Sequence, residues 1–324
     1  MIFSVLHWKK IKKTNFTNIE KLADFLELSP RDRKEITAFP KFPLNLPLRF
    51  AKKISKGTLE DPLLRQFLPL KKELKKQKGF LKDPVGDLCS QKEKKLLHKY
   101  PGRALLLLSS ACAMHCRYCF RRDFPYQSSK TGFEKELAYI RDDSSIEEVI
   151  LSGGDPLSLD GQVLEALLQS VESISHVKRL RIHSRFIVAI PERVDEQFLK
   201  MLEKSRLKIF FVLHCNLAQE LDKEVIEAVD KLQKKGVVVL NQAVLLKSVN
   251  DNYEALKQLS DHLANHGIIF YYLHQLDRVE GAAHFEVSEE KGLALIQKLR
   301  ETSSGYAVPR YVREVSGEPS KTPL

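Results

Sequence analysis

Three cysteines fall within eight residues, in Cys112-Ala113-Met114-His115-Cys116-Arg117-Tyr118-Cys119. That clustering asks for a chemical explanation, while Cys89 and Cys215 read as ordinary small buried residues. Five cysteines are an odd number, which argues against a disulfide framework. Zinc is one reading, but structural zinc sites pair cysteines as C-x₂₋₄-C with a second Cys/His pair elsewhere. No second pair follows here at suitable spacing. Three thiolates on one loop suit a 4Fe–4S cube that leaves one iron open to another ligand, whereas a closed cube takes four cysteines.

The elements that must position this loop are legible from texture. After Pro101, short apolar runs read as buried parallel strands: 104–108, 148–151, 179–182, 209–213, 237–240 and 268–273. Helical periodicity fills 133–141, 160–171, 195–204, 223–235, 253–266 and 288–301. Glycines at 236 and 267 sit where helices stop. Six β/α units in a row imply a parallel sheet with right-handed crossovers. Nearly every strand ends in polar groups: Gly153-Gly154-Asp155, His183-Ser184-Arg185, His214-Cys215-Asn216, Asn241-Gln242 and His274-Gln275-Leu276-Asp277. Function at the C-terminal ends of many successive strands is the barrel pattern, whereas an open doubly wound sheet gathers its ligand groups at one switch point. The fold class is therefore α/β, a partial (β/α)6 barrel. Three regions are expected: a mostly helical part over 1–100, the barrel over 101–302, and a short C-terminal segment over 303–324.

The first region is broken by seven prolines between Pro30 and Pro84, with candidate helices over 18–28, 47–54 and 63–78. Residues 1–100 hold 24 Lys+Arg against 11 Asp+Glu, a net of +13, although the whole chain is only +11. The lysine runs read as a solvated helical face; an acidic docking partner is the alternative. No aromatic residues interleave with them as a base-stacking surface requires, so nucleic-acid binding is not expected. No run approaches the roughly 20 apolar residues of a membrane span, and the short apolar stretch at the start lacks a small-residue cleavage site. A cytoplasmic protein is expected.

The C-x₃-C-x₂-C loop after the first barrel strand, with Tyr118 before its last cysteine, resembles the radical S-adenosylmethionine (SAM) superfamily. The resemblance implies a 4Fe–4S cluster on Cys112, Cys116 and Cys119 whose open iron chelates SAM. An electron donor then drives cleavage to a 5′-deoxyadenosyl radical. Gly153, Gly154 and Asp155 resemble the motif that contacts the SAM amino group, and His214 and Gln242 match SAM-side positions.

The far end narrows the family. The segment from Ser303 to Pro309, Glu314, and the segment from Gly317 through Lys321 to Leu324 together resemble the lysine 2,3-aminomutases. That resemblance makes Lys321 the carrier of pyridoxal 5′-phosphate (PLP) and puts Arg103 near the PLP phosphate. Arg121 becomes the clamp on the carboxylate of L-lysine, and Asp277 and Glu314 become acceptors of its ε-ammonium. Soluble aminomutases carry aspartate in the place of Glu314. Segments around Asp61 and Asp83, with Pro101-Gly102-Arg103 and Phe120 to Tyr126, resemble the bacterial branch linked to elongation factor P. The implied product is (R)-β-lysine, passed to a ligase that attaches it to that factor. Asn252 stands where clostridial-type relatives have a zinc cysteine, so no such zinc is expected and a homo-oligomer is left open. The competing readings are an aminomutase making free β-lysine and a non-catalytic Fe–S sensor.

Overall fold

The six apolar runs become six of the seven parallel strands of a ten-stranded sheet laid out in chain order. The computed structural model describes residues 5–126 and 132–324; part of the apolar stretch at the chain's start lies outside them. The strands are β1 (Gln91–Glu93), β2 (Leu96–Tyr100), β3 (Arg103–Leu107), β4 (Glu148–Ser152) and β5 (Arg179–Ser184). They continue as β6 (Lys208–His214), β7 (Val238–Val244), β8 (Ile269–His274), β9 (Arg310–Arg313) and β10 (Thr322–Pro323). β1 and β2 add antiparallel to β3, the strands from β3 to β9 run parallel, and β10 folds back antiparallel on β9. The sheet is thus an open partial barrel, and it crosses both expected region boundaries, taking two strands from each flank.

Helices cover the outer face. Lys223–Lys234 buries Val225, Ile226, Ala228, Val229 and Leu232, the i, i+3, i+4, i+7 stripe of a helix with one face on a sheet. Asp222 caps it by accepting from the Val225 N–H, and Gly236 follows it at φ 76°. Each fully buried Leu or Val contributes roughly 1.5–3 kcal/mol.

Strand alternation decides what the inner face carries. In β5, Leu180, Ile182 and Ser184 are buried toward the helices, while Arg179, Arg181 and His183 point to the other side. Residues of the same parity from β3 to β8 line one cavity, from Arg103 across to Tyr272. The concave side of the sheet is therefore a charged chamber rather than a filled apolar core.

The N-terminal third departs from its expected form. The helix expected over 63–78 is two short pieces, Pro62–Arg65 and Lys71–Leu74, because Pro69 between them lacks the N–H that a continuous helix needs. The lysines from Lys75 to Lys78 are solvated but not helical, and Lys92 lies on β1. Cys215 is buried as expected, but Cys89 is exposed on a turn at Leu88–Ser90. No helix among the described residues is long and apolar enough to cross a membrane.

The turn after β4 meets the loop after β3 backbone to backbone. Gly154 N–H donates to Ser109 O at 2.5 Å and Asp155 N–H to Ala111 O at 2.9 Å. A Cβ on Gly154 would lie 2.6 Å from Ala111 O, and one on Gly153, at φ 127°, 2.6 Å from Ser109 O. Neither neighbour is a flexible side-chain end, so a methyl group must push the Cys112–Cys119 loop away. Gly154→Ala is expected to lower stability by about 1–3 kcal/mol, read by denaturant unfolding, and to reduce the iron bound per chain after reconstitution. Unchanged stability and iron content would show that the loop tolerates displacement.

Candidate active site

The three-thiol loop is held by single polar residues of the N-terminal third. Asn45 Nδ2 donates to Cys112 O at 3.3 Å and Asn15 Nδ2 to Ala113 O at 2.8 Å. His115 N–H donates to Asn45 O and Arg117 N–H to Gln66 O, at 2.9 and 2.8 Å. The Arg117 guanidinium is fully buried and grips both Glu73 oxygens, at 2.7 and 2.5 Å, and the Phe42 carbonyl at 2.8 Å. Bidentate pairing with a third bond makes such a buried cation tolerable. The result is a rigid loop with Cys112, Cys116 and Cys119 free and half-buried. Among the described residues, no three His, Cys, Asp or Glu side chains converge on a single-ion position; the thiols are candidates for three separate corners of a cube.

The chamber on the concave face has a volume of about 540 Å³. Arg103, Arg121, His214, Gln242, Asp277, Glu314 and Lys321 all line it. Gly153, Gly154 and Asp155 are not among its lining residues. The Asp155 carboxylate turns into the fold, accepting from Ser184 Oγ at 2.9 Å and from the Arg185 and Leu157 N–H groups at 2.8 and 3.0 Å. Burial pushes its pKa up to about 6 against these bonds. Asp155 thereby ties the turn after β4 to the end of β5.

Lys321 reaches the chamber through the hairpin of β9 and β10. Thr322 pairs with Arg313, so Lys321 and Glu314 flank the turn end of the hairpin, with Gly317 at φ 88° in the turn itself. Lys321 Nζ is ion-paired with Glu314 Oε2. Glu314 Oε1 takes Lys99 Nζ at 2.7 Å and the Tyr100 hydroxyl. Burial alone would raise the Glu314 pKa, but Lys321 and Lys99 outweigh it and hold the carboxyl at about 2.

Asp277 differs. No hydrogen bond or ion pair reaches its carboxylate among the described residues, and burial pushes its pKa up to about 7, partly countered by Lys321. Arg121 is held from behind: Nε meets Asp87 Oδ2 at 2.6 Å and Nη1 meets Ser152 Oγ at 3.1 Å, which leaves Nη2 open. The chamber thus sets an open guanidinium edge, an unpaired carboxylate and an amine within one enclosure.

Three histidines complete the wall. His214 Nε2 lies 3.1 Å from Gln242 Nε2 and 3.3 Å from His183 Nδ1. Burial first, then nearby arginines, pushes His214 down to about 3, so it is neutral at pH 7. His183 and His274 are likewise pushed well below the ordinary histidine range. Each has a buried Nε2 without a partner, an open polar position facing a ligand space. Arg181 is fixed by Glu148 at 2.7 Å and donates to the Tyr271 hydroxyl at 3.2 Å, and Arg179 and Arg103 stand on the same wall. An anionic group such as a phosphate fits that basic side, and an aldehyde-bearing cofactor fits the amine opposite.

Asp87, Lys99, Tyr100, Ser152 and Arg181 are site residues that sequence reasoning did not assign. The alternation Arg179, Arg181, His183 within an otherwise apolar strand was a usable signal for a polar inner face. Nothing local marked Asp87 or Lys99.

Residues 106–259 match the model of the radical SAM superfamily. The chain is 46% identical over 286 residues to the L-lysine 2,3-aminomutase of Escherichia coli, a match covering 87% of this chain and 83% of that protein. It is 41% identical over 320 residues to that of Haemophilus influenzae, covering 98% and 95%. The L-lysine 2,3-aminomutase of Buchnera aphidicola is 40% identical over 329 residues, with 97% of each chain covered. Similarity of this extent means that the chain belongs to the lysine 2,3-aminomutase family of radical SAM isomerases.

Proposed function

We propose that this enzyme interconverts L-α-lysine and (R)-β-lysine, moving the amino group from C2 to C3. The observation that carries the reading is one chamber holding the open edge of Arg121, the unpaired carboxylate of Asp277 and the Lys321 amine. Lysine offers a carboxylate at one end and an ammonium at the other, which matches a planar cation and a buried acid. Glutamate would set a second carboxylate against Asp277 and Glu314, a like-charge contact that disfavours it.

When bound, the cluster on Cys112, Cys116 and Cys119 with SAM supplies a hydrogen-abstracting radical, and PLP on Lys321 supplies the π system through which nitrogen migrates. The chain's own groups do the rest. Asp87 and Ser152 hold Arg121 in one orientation, so the substrate carboxylate meets a preset fork. Lys99 pairs with Glu314 independently of Lys321, so Glu314 would remain an ionised acceptor beside Asp277 whether or not Lys321 holds a cofactor. Arg103, with Arg179 and Arg181, faces the phosphate. His214, kept neutral, and Gln242 serve the SAM side without adding charge. The Gly153-Gly154 backbone serves the SAM amino group, and Asp155 acts there through the turn it anchors.

The product is assigned to a ligase that modifies a lysine of elongation factor P, in the cytoplasm, with a separate electron donor reducing the cluster. The C-terminal segment from Gly317 to Leu324 and the segments around Asp61 and Asp83 support this assignment. An enzyme making free β-lysine would share every residue of the chamber.

Three outcomes are expected. Anaerobic loading with iron, sulfide, PLP, SAM and reductant, then chiral chromatography after adding L-lysine, will yield (R)-β-lysine; a fully loaded enzyme giving none overturns the function. Borohydride reduction will fix PLP on Lys321, seen by peptide mass spectrometry, and Lys321→Ala will abolish the labelling. Asp277 must be ionised to receive an ammonium, and burial pushes its pKa up to about 7. So kcat/KM for lysine will fall about tenfold per pH unit below that value. Asp277→Asn will remove this acidic limb and cost roughly 1.5–3 kcal/mol of substrate binding, read as a raised KM. A wild-type acidic limb retained in that variant would show that another group titrates.

A further inference from the structure

Arg185 lies outside the chamber just described, where β5 gives way to the next turn. Its backbone N–H is fixed by Asp155 at 2.8 Å. Its Nη1 stands 2.9 Å from Cys116 Sγ and also meets the Tyr118 hydroxyl. Its Nη2 donates to Gln66 Oε1 and to Glu220 Oε2, each at 2.7 Å. Glu220 is fully buried and its other oxygen is committed, accepting from Asn216 N–H at 3.1 Å and Gln66 Nε2 at 3.2 Å. A buried guanidinium is thus clamped by three separate parts of the chain, with one N–H aimed at a thiol sulfur.

Holding the loop does not require this arrangement, because Arg117 with Glu73, Asn15 and Asn45 already do so from the other side. Its distinctive consequence is electrostatic. A one-electron reduction adds negative charge to a cluster and its sulfurs. A cation and an N–H donor beside one sulfur stabilise that added charge, and hydrogen bonds to sulfur are among the levers that set such potentials. Glu220 opposes the effect by partly neutralising the guanidinium. Burial strengthens both influences, since little water screens them.

We propose that Arg185, positioned by Gln66 and balanced by Glu220, raises the reduction potential of the cluster through its charge and N–H at Cys116 Sγ. The inference rests on the assignment of Cys112, Cys116 and Cys119 to the cluster. The ligand-side donor and its counter-carboxylate form a pair of opposing controls, so removing one must move the potential in the opposite direction from removing the other.

The test is a redox titration of the anaerobically reconstituted holoenzyme without SAM, followed by the low-temperature electron paramagnetic resonance of the reduced cluster. Iron and sulfide are counted in each sample. Arg185→Met is expected to shift the reduction equilibrium about tenfold toward the oxidised form, about 59 mV for one electron. Glu220→Gln is expected to shift it the other way, and it leaves every cysteine contact of Arg185 in place. Should Arg185→Met take up too little iron, the direction of the Glu220→Gln shift decides alone. Unmoved potentials at wild-type iron and sulfide content, or shifts of the same sign in both variants, overturn the inference while leaving the aminomutase reading intact. A wild-type chain that takes up no cluster overturns both.

Discussion

A sheet whose inner face carries arginines, lysines and acids must neutralise them within its own walls, because a buried charge costs several kcal/mol unless it is paired. This chain meets that requirement group by group. Arg117 is answered by Glu73, Arg121 by Asp87, Arg181 by Glu148 and Arg185 by Glu220. Lys321 and Lys99 share Glu314. Each pair also fixes an orientation, so neutralisation and positioning are one event. Against that background Asp277 stands out: it is a half-buried acid to which the protein brings no cation bond among the described residues. It is an unpaired carboxylate in a chamber whose walls still hold more cations than acids.

The pairs also join two chemical centres that lie far apart in sequence. The three-thiol loop belongs to the start of the barrel, yet its carbonyls and guanidinium are held by residues as early as Asn15 and Glu73. Lys321 comes near the chain's end and is delivered by a two-strand hairpin. Between them, Gly153 and Gly154 let the turn after β4 touch the loop backbone, and Asp155 links that turn to Ser184 and Arg185. Arg185 then reaches Cys116. A continuous chain of contacts therefore runs from the sheet to the three-thiol loop and fixes that loop relative to the strand ends.

Much of the barrel was readable because strand and helix periods are local properties. Six of the seven parallel strands, and the six crossover helices, lie within a few residues of their expected places. The edges were not. β1 is polar, and β2, β9 and β10 are too short to show a period, so only pairing within the sheet makes them strands. The helix expected over 63–78 failed for a local reason, Pro69, which outweighed the residues around it. In the basic third, the lysine run from Lys75 to Lys78 is solvated, as expected, but not helical. What composition did not show is that Lys99 enters the chamber and that Asn15, Asn45, Gln66 and Glu73 hold the three-thiol loop.

By itself the sequence determined which chemistries the chain could carry, since the spacing of Cys112, Cys116 and Cys119 and the alternation of strands and helices are covalent facts. It also marked Arg121, Asp277, Glu314 and Lys321 as residues of interest. Only the tertiary structure decided that these four share one chamber, that Glu314 is already engaged by two lysines, and that Asp277 is not engaged at all. Only it turned the Asp155 carboxylate away from the chamber and set Arg185 beside a cysteine sulfur. The physical reason is that charge pairing and burial depend on through-space distance. Residues hundreds of positions apart become neighbours only when the sheet curves and the hairpin closes.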